Sequence, residues 1–234
     1  RTFGIGNLME MVFPVAKFLQ RMTLSIFADW EVIGKENVPP VGPLIVVANH
    51  QSNFDPSLLA TSLPRRIRFL AKRDIFQNSV AAWFLRQYGA VPVNREGVSP
   101  KSFRWMLDQL YQNKVIALFP EGTRSRNGMK RGLPGVANLA LKSEASLLPV
   151  GIMGTGHMGT VARVFCPTGC LRINIGRAFS LPAITGRVNK EVLNSLTDLI
   201  MMRIAQLLPS EDQGEYRLEK RLFSSENPRR RISG

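Results

Sequence analysis

Cysteine is scarce here. The 234 residues include two, too few for a disulfide framework. Those two, Cys166 and Cys170, have no second cysteine or histidine pair to complete a zinc site, so they read as loop or core residues. Histidine is equally rare, so any imidazole chemistry falls to His50 or His157. Three Trp and three Tyr leave no aromatic–basic stacking platform, and no recognised nucleic-acid-binding motif accompanies them. No repeat of 20–50 residues signals a solenoid. Acidic residues are outnumbered, 17 against 31 Lys and Arg, for a formal charge of +14. That excess favours a negative partner: phosphate, an anionic membrane, an acidic protein or nucleic acid. An apolar fraction of 44% excludes a wholly disordered chain. The length suits one domain with at most an accessory segment.

Long uncharged hydrophobic runs are also missing. A spanning helix needs ~20 predominantly apolar residues. The stretch 8–28 is interrupted by Glu10, Pro14, Lys17, Gln20 and Arg21. On a helical wheel Glu10, Lys17 and Arg21 fall within about 40° of one another. Met11, Val12, Val15, Phe18, Leu19, Met22 and Ile26 lie away from that stripe. The pattern predicts an amphipathic helix, lying in a membrane interface or packed on its own domain. The stretch 145–162 is free of charge but broken by Pro149 and by Gly151, Gly154, Gly156 and Gly159. It reads as a strand and a loop.

What the chain does have is alternation. Short apolar runs at 44–48, 67–71, 90–93, 115–119, 147–152 and 171–175 read as strands. Helical patterns lie between them. Asp55-Pro56 and Ser99-Pro100 are helix-start signals. Residues 135–143 and 189–208 carry apolar residues at helical spacing. The expected fold class is α/β: a central mixed sheet flanked by helices, with an N-terminal amphipathic helical segment.

Two clusters carry chemistry. The first is Asn49-His50-Gln51-Ser52-Asn53-Phe54-Asp55, in one predicted strand-to-helix turn. Such a turn can bring the Asp55 carboxylate to one nitrogen of His50 and leave the other as a base. The plainer alternative is that Asp55 caps the helix. The second cluster is Phe119-Pro-Glu-Gly-Thr-Arg-Ser-Arg126. Gly122 permits close backbone approach, Thr123 and Ser125 supply hydroxyls, and Arg124 supplies a forked donor. That composition suits a phosphate, although an ordinary polar turn has a similar one. Glu121 can orient Arg124 or a substrate hydroxyl.

Taken together, the NHxSxxD and FPEGTRS patterns resemble the glycerolipid acyltransferase family, specifically 1-acylglycerol-3-phosphate acyltransferases. Residues 70–76, 89–95 and 148–152 resemble its intermediate blocks, so the likeness runs over about residues 30–180. Val91-Pro-Val-Asn94 departs from the usual sequence before Arg95. The resemblance implies acyl transfer from a thioester, acyl-CoA or acyl-ACP (acyl carrier protein), to the free hydroxyl of lysophosphatidic acid, giving phosphatidic acid. It makes His50 the base and Asp55 its partner. Glu121, Gly122, Thr123 and Arg124, with Arg95 and Lys72, would bind the acceptor. It implies no metal and no cofactor beyond the acyl co-substrate. It also implies a membrane phospholipid surface as partner, at the cytoplasmic face, and no nucleic acid. Under this reading residues 1–29 are the membrane-associating segment, 30–209 the acyltransferase domain and 210–234 a basic tail. Glycerol 3-phosphate or another lysolipid is the alternative acceptor. A non-catalytic basic protein binding lipid or nucleic acid is the alternative of a different class.

Overall fold

The run Leu44–Ala48 is buried at every position. Such a strand needs apolar cover on both faces, and a parallel sheet between two helical layers provides it. A computed structural model shows that arrangement. It describes residues 5–77, 82–83, 85–86, 89–93, 99–158, 166–184 and 186–217, and of residues 5–12, 72, 74, 75 and 93 the backbone alone. Arg95 and the chain beyond residue 217 lie outside the described residues.

The strands are β1 (Ala28–Ile33), β2 (Leu44–Ala48), β3 (Ile67–Lys72), β4 (Ala90–Val93), β5 (Val115–Leu118), β6 (Ser146–Met153) and β7 (Gly169–Ile175). They form one sheet in the order β1-β7-β6-β2-β5-β3-β4. All pairs are parallel except β6 with β7. The sheet is therefore mixed, as expected. The helices are α1 (Ile5–Phe27), α2 (Asp55–Ser62), α3 (Pro100–Tyr111), α4 (Gly135–Ser143) and α5 (Lys190–Ala205). Leu44, Val46 and Ala48 of β2 join α1 and α2 in one core. Ile45 and Val47 join α3, α4 and α5 in the other. The proline start at α3 behaves as the sequence suggests: Ser99 accepts the N–H of Ser102 and Pro100 follows. At α2 the helix begins on Asp55 itself, whose side chain is turned away from the capping position.

This topology decides where a site can lie. After β2 the chain crosses to β3 on one side of β5; after β5 it crosses to β6 on the far side of β2. The α2 connection covers one face and the α4 connection the other. Divergence of this kind opens a crevice outside the carboxyl ends of the two strands. His50 follows β2 and the 119–126 segment follows β5.

Helix α1 docks in an unexpected sense. Its inward residues include Ala16, Leu24 and the polar Gln20. Gln20 Nε2 donates to Ser57 Oγ, and Thr61 Oγ1 donates to Gln20 Oε1. The Lys17 ammonium donates to the Leu63 carbonyl at the end of α2; burial, with repulsion from Arg21 and Lys35, pushes it down to about 8. The apolar residues Val15, Phe18, Leu19, Met22 and Ile26 are exposed, Phe18 to 62% and Ile26 to 66%. Among the described residues no helix is long and apolar enough to cross a membrane.

Candidate active site

Asn49 carries the chain out of β2. Its side chain donates to the Ile152 carbonyl (2.8 Å) and accepts the Ile152 N–H (2.7 Å), which ties the end of β2 to β6. The next residue is His50. Its Nδ1 stands 2.8 Å from Asp55 Oδ2. The same oxygen accepts the backbone N–H groups of Gln51 (2.7 Å) and Ser52 (2.8 Å). Oδ1 accepts the Thr155 hydroxyl at 2.5 Å. Four donors thus face a fully buried carboxylate. An acceptor-only partner keeps the proton on Nδ1 and leaves the lone pair on Nε2. The ring stacks on Phe119, centroids 4.2 Å apart, and its side chain keeps 17% of its surface exposed.

The segment after β5 is stitched to His50 itself. The His50 N–H donates to Glu121 Oε1 at 3.0 Å, and the His50 carbonyl accepts the Ser125 N–H at 2.7 Å. Both backbone polar groups of His50 are thereby taken by the 119–126 loop. Glu121 Oε2 accepts the Lys130 N–H at 2.8 Å. Burial pushes the Glu121 carboxyl up, and the Lys130 and His50 amides oppose that rise. Gly122 turns at φ 68°, and a Cβ there would come within 2.6 Å of Leu133 Cδ1. Only glycine takes that conformation without strain.

The loop is supported from below by residues 209–217. The Met129 N–H donates to the Asp212 carbonyl and the Glu215 N–H to the Met129 carbonyl, both at 2.9 Å. Gly214 allows this approach, since a Cβ there would lie 2.1 Å from the Met129 oxygen. The Tyr216 hydroxyl accepts the Gly132 N–H and donates to Asp198 Oδ1; burial is the main cause that pushes this phenol up to about 12.

The structure sets Asp55 against the His50 ring and ties Glu121 and Ser125, which flank Gly122, Thr123 and Arg124 in the chain, to the His50 backbone. Thr123 and Arg124 are exposed, and Arg124 forms no hydrogen bond or ion pair with another described residue. Lys72 is the last residue of β3 and pairs in register with Val93 of β4, two residues before Arg95. Only the backbone of Lys72 is described, and Arg95 lies outside the described residues. His157 takes no part, since its Nε2 pairs with the Thr168 carbonyl. Arg65 donates to the carbonyls of Pro39, Gly42 and Asn113. Cys166 and Cys170 are free and exposed. Sequence reasoning missed two residues of this site. Thr155 stands in a glycine-bearing turn a hundred positions from Asp55. Phe119 was legible as the end of a strand, not as a stacking partner.

A carboxylate-backed imidazole beside an arginine-bearing loop, at the switch point of an α/β sheet, defines a class of α/β group-transfer site. The model of the Acyltransferase family matches residues 29–153, more than half of the chain. The chain therefore belongs to that family and is an acyltransferase. It is 27% identical over 196 residues to the 1-acyl-sn-glycerol-3-phosphate acyltransferase of Bacillus subtilis, covering 82% of this chain and 95% of that one. It is 30% identical over 150 residues to a chloroplastic 1-acyl-sn-glycerol-3-phosphate acyltransferase of Arabidopsis thaliana, covering 62% and 41%. The crystal structure of the 1-acyl-sn-glycerophosphate acyltransferase of Thermotoga maritima superposes with a TM-score of 0.68 at 24% identity, covering 88% of this chain and 82% of that one. That likeness is one of fold.

Proposed function

We propose that this chain moves an acyl group from an acyl thioester, on coenzyme A or acyl carrier protein, to the free hydroxyl of a 1-acylglycerol 3-phosphate, and so makes phosphatidic acid. The observation that carries this reading is the His50–Asp55 pair joined, through the backbone of His50, to the loop that bears Arg124. The names of the relatives support the acceptor. Nε2 of His50 takes the hydroxyl proton. The alkoxide attacks the thioester carbonyl, a C–O bond forms, the C–S bond breaks, and the thiolate leaves with the proton from the imidazolium. Arg124, Thr123 and the backbone at Gly122 hold the acceptor phosphate, and Lys72 and Arg95 complete the anion site from the end of β3 and beyond β4. Glu121 acts by fixing the loop. The reaction uses no cofactor besides the acyl donor.

The test is an acyl-transfer assay of the purified protein with long-chain acyl-CoA and acyl-ACP against lysophosphatidic acid and glycerol 3-phosphate. Phosphatidic acid is the expected product. Transfer to glycerol 3-phosphate alone would replace the acceptor, and no transfer from any thioester would overturn the reading.

In this reading the enzyme sits peripherally on a membrane phospholipid surface at the cytoplasmic face; the outward apolar face of α1 and a net charge of +14, which suits anionic lipids, support it. Burying one such side chain is worth about 1.5–3 kcal/mol. The double variant Phe18→Asp, Ile26→Asp is therefore expected to cut partitioning onto phosphatidylglycerol-containing vesicles at least about tenfold in a sedimentation assay. Unchanged partitioning would show that the face is not the contact.

A further inference from the structure

We propose that Thr155 is a positioning residue for the His50–Asp55 pair, acting through the second oxygen of Asp55. The inference rests on the catalytic reading above and deepens it. Asp55 Oδ2 already takes three donors: the imidazole and the amides of Gln51 and Ser52. Oδ1 takes one, the Thr155 hydroxyl at 2.5 Å. Thr155 and Asp55 are both fully buried, so water does not replace a lost donor there. The hydroxyl also stands 3.4 Å from Gln51 Oε1, but it has one proton and the nearer, charged acceptor takes it.

The turn that carries Thr155 is itself fixed to the catalytic turn. Asn49 is tied to Ile152 at the end of β6. The Met158 N–H donates to the Thr155 carbonyl at 2.8 Å, and the Met158 carbonyl accepts the Ser52 hydroxyl. The hydroxyl of Thr155 is thus delivered to Oδ1 by a frame anchored on both sides of the histidine. It holds the carboxylate plane so that Oδ2 points at Nδ1 while the ring gains and loses its proton.

The experiment compares Thr155→Val, which keeps the shape and removes the donor, with Thr155→Ser, which keeps the donor. Leaving a buried charged acceptor short of one partner is expected to lower kcat by about tenfold or more, with the acceptor KM within about twofold. A carboxylate deprived of that donor draws more strongly on the imidazolium. The ring then stays protonated to higher pH, and the acidic limb of kcat/KM moves upward in Thr155→Val. Thr155→Ser is expected to restore most of kcat and the original limb. A folded Thr155→Val with the original kcat and limb overturns the proposal, as do equal losses in both variants without a limb shift. Should the valine variant not fold, Thr155→Cys, a weak donor of similar size, is expected to show an intermediate loss and shift; no change there also overturns it. Full activity in His50→Ala would sink the catalytic reading. An inactive His50→Ala beside an unaltered Thr155→Val would sink this assignment alone.

Discussion

Replacing His50 with alanine is expected to lower kcat by about 10²–10⁴-fold, the range of positioned acid–base catalysis, while the acceptor KM stays within a few-fold. The ring touches Asp55 and Phe119, and the backbone contacts of residue 50 to Glu121 and Ser125 do not need a side chain. The loop should therefore keep its place, and circular dichroism and thermal unfolding check that it does. Asp55→Asn gives a sharper test, because its outcome depends on the local donors. Two amides point at the Oδ2 position. They admit the carbonyl oxygen of asparagine and reject its NH₂. The oxygen then still accepts from Nδ1, and the NH₂ meets Thr155, whose hydroxyl can accept. The ring keeps its tautomer and loses only the negative charge beside it. A charge-assisted hydrogen bond contributes about 1.5–3 kcal/mol, so the expected loss in kcat is about 10–10²-fold, smaller than for His50→Ala. Equal losses in the two variants would show that the asparagine has turned the ring. Unchanged turnover in His50→Ala would remove the base assignment.

Much of this frame was legible because it follows from local pattern. The buried strands β2, β5 and β6 are continuous apolar runs between breakers, and α3 announces itself through Ser99-Pro100. Strand β1 was not legible. It follows α1 without an intervening turn, and it sits at the sheet edge in register with β7, some 140 residues later. The amphipathicity of α1 could be read, but which face looks inward could not. Ser57 and Thr61 of α2 and the Leu63 carbonyl at its end supply partners for Gln20 and Lys17, which turn toward the protein, while Arg21 stays exposed. Whether Asp55 caps the helix or meets the His50 ring likewise depends on geometry that no spacing rule contains. The residue enters the helix while its carboxylate folds back over two amides of the preceding turn. Thr155 could not have been found from sequence, since a hydroxyl after a strand acquires meaning only from what the sheet places opposite it.

Glu121 and Arg124 are expected to fail in opposite ways, although three positions separate them. Glu121 is 5% exposed, and both its oxygens are spent on backbone amides, one of them that of His50. Glutamine offers one acceptor for two donors, so one N–H meets an NH₂ head on. A buried group left unpaired costs about 1–3 kcal/mol, and the strain falls on the backbone of His50. Glu121→Gln should therefore lower kcat by about tenfold with little change in acceptor KM. Acid acts on the same link. Burial raises the Glu121 carboxyl in the folded state, so the fold binds this proton more tightly than the unfolded chain does. Its contribution to stability accordingly falls as pH rises from the ordinary value of 4.5 through the raised one. Below that window the neutral acid is the better-tolerated form in the fold but loses an acceptor for the amides, so activity drops while this group's stability term improves. Arg124 is exposed and without a described partner. Arg124→Ala should leave stability within about 0.5 kcal/mol. A charge-assisted contact to phosphate, worth about 1.5–3 kcal/mol, should disappear, and the acceptor KM should rise roughly 10–100-fold with kcat nearly constant. Steady-state kinetics on the two folded variants decide the matter. A KM effect confined to Glu121→Gln, or a kcat effect confined to Arg124→Ala, would exchange the two roles: the buried carboxylate would then bind the acceptor and the exposed guanidinium would serve the chemical step.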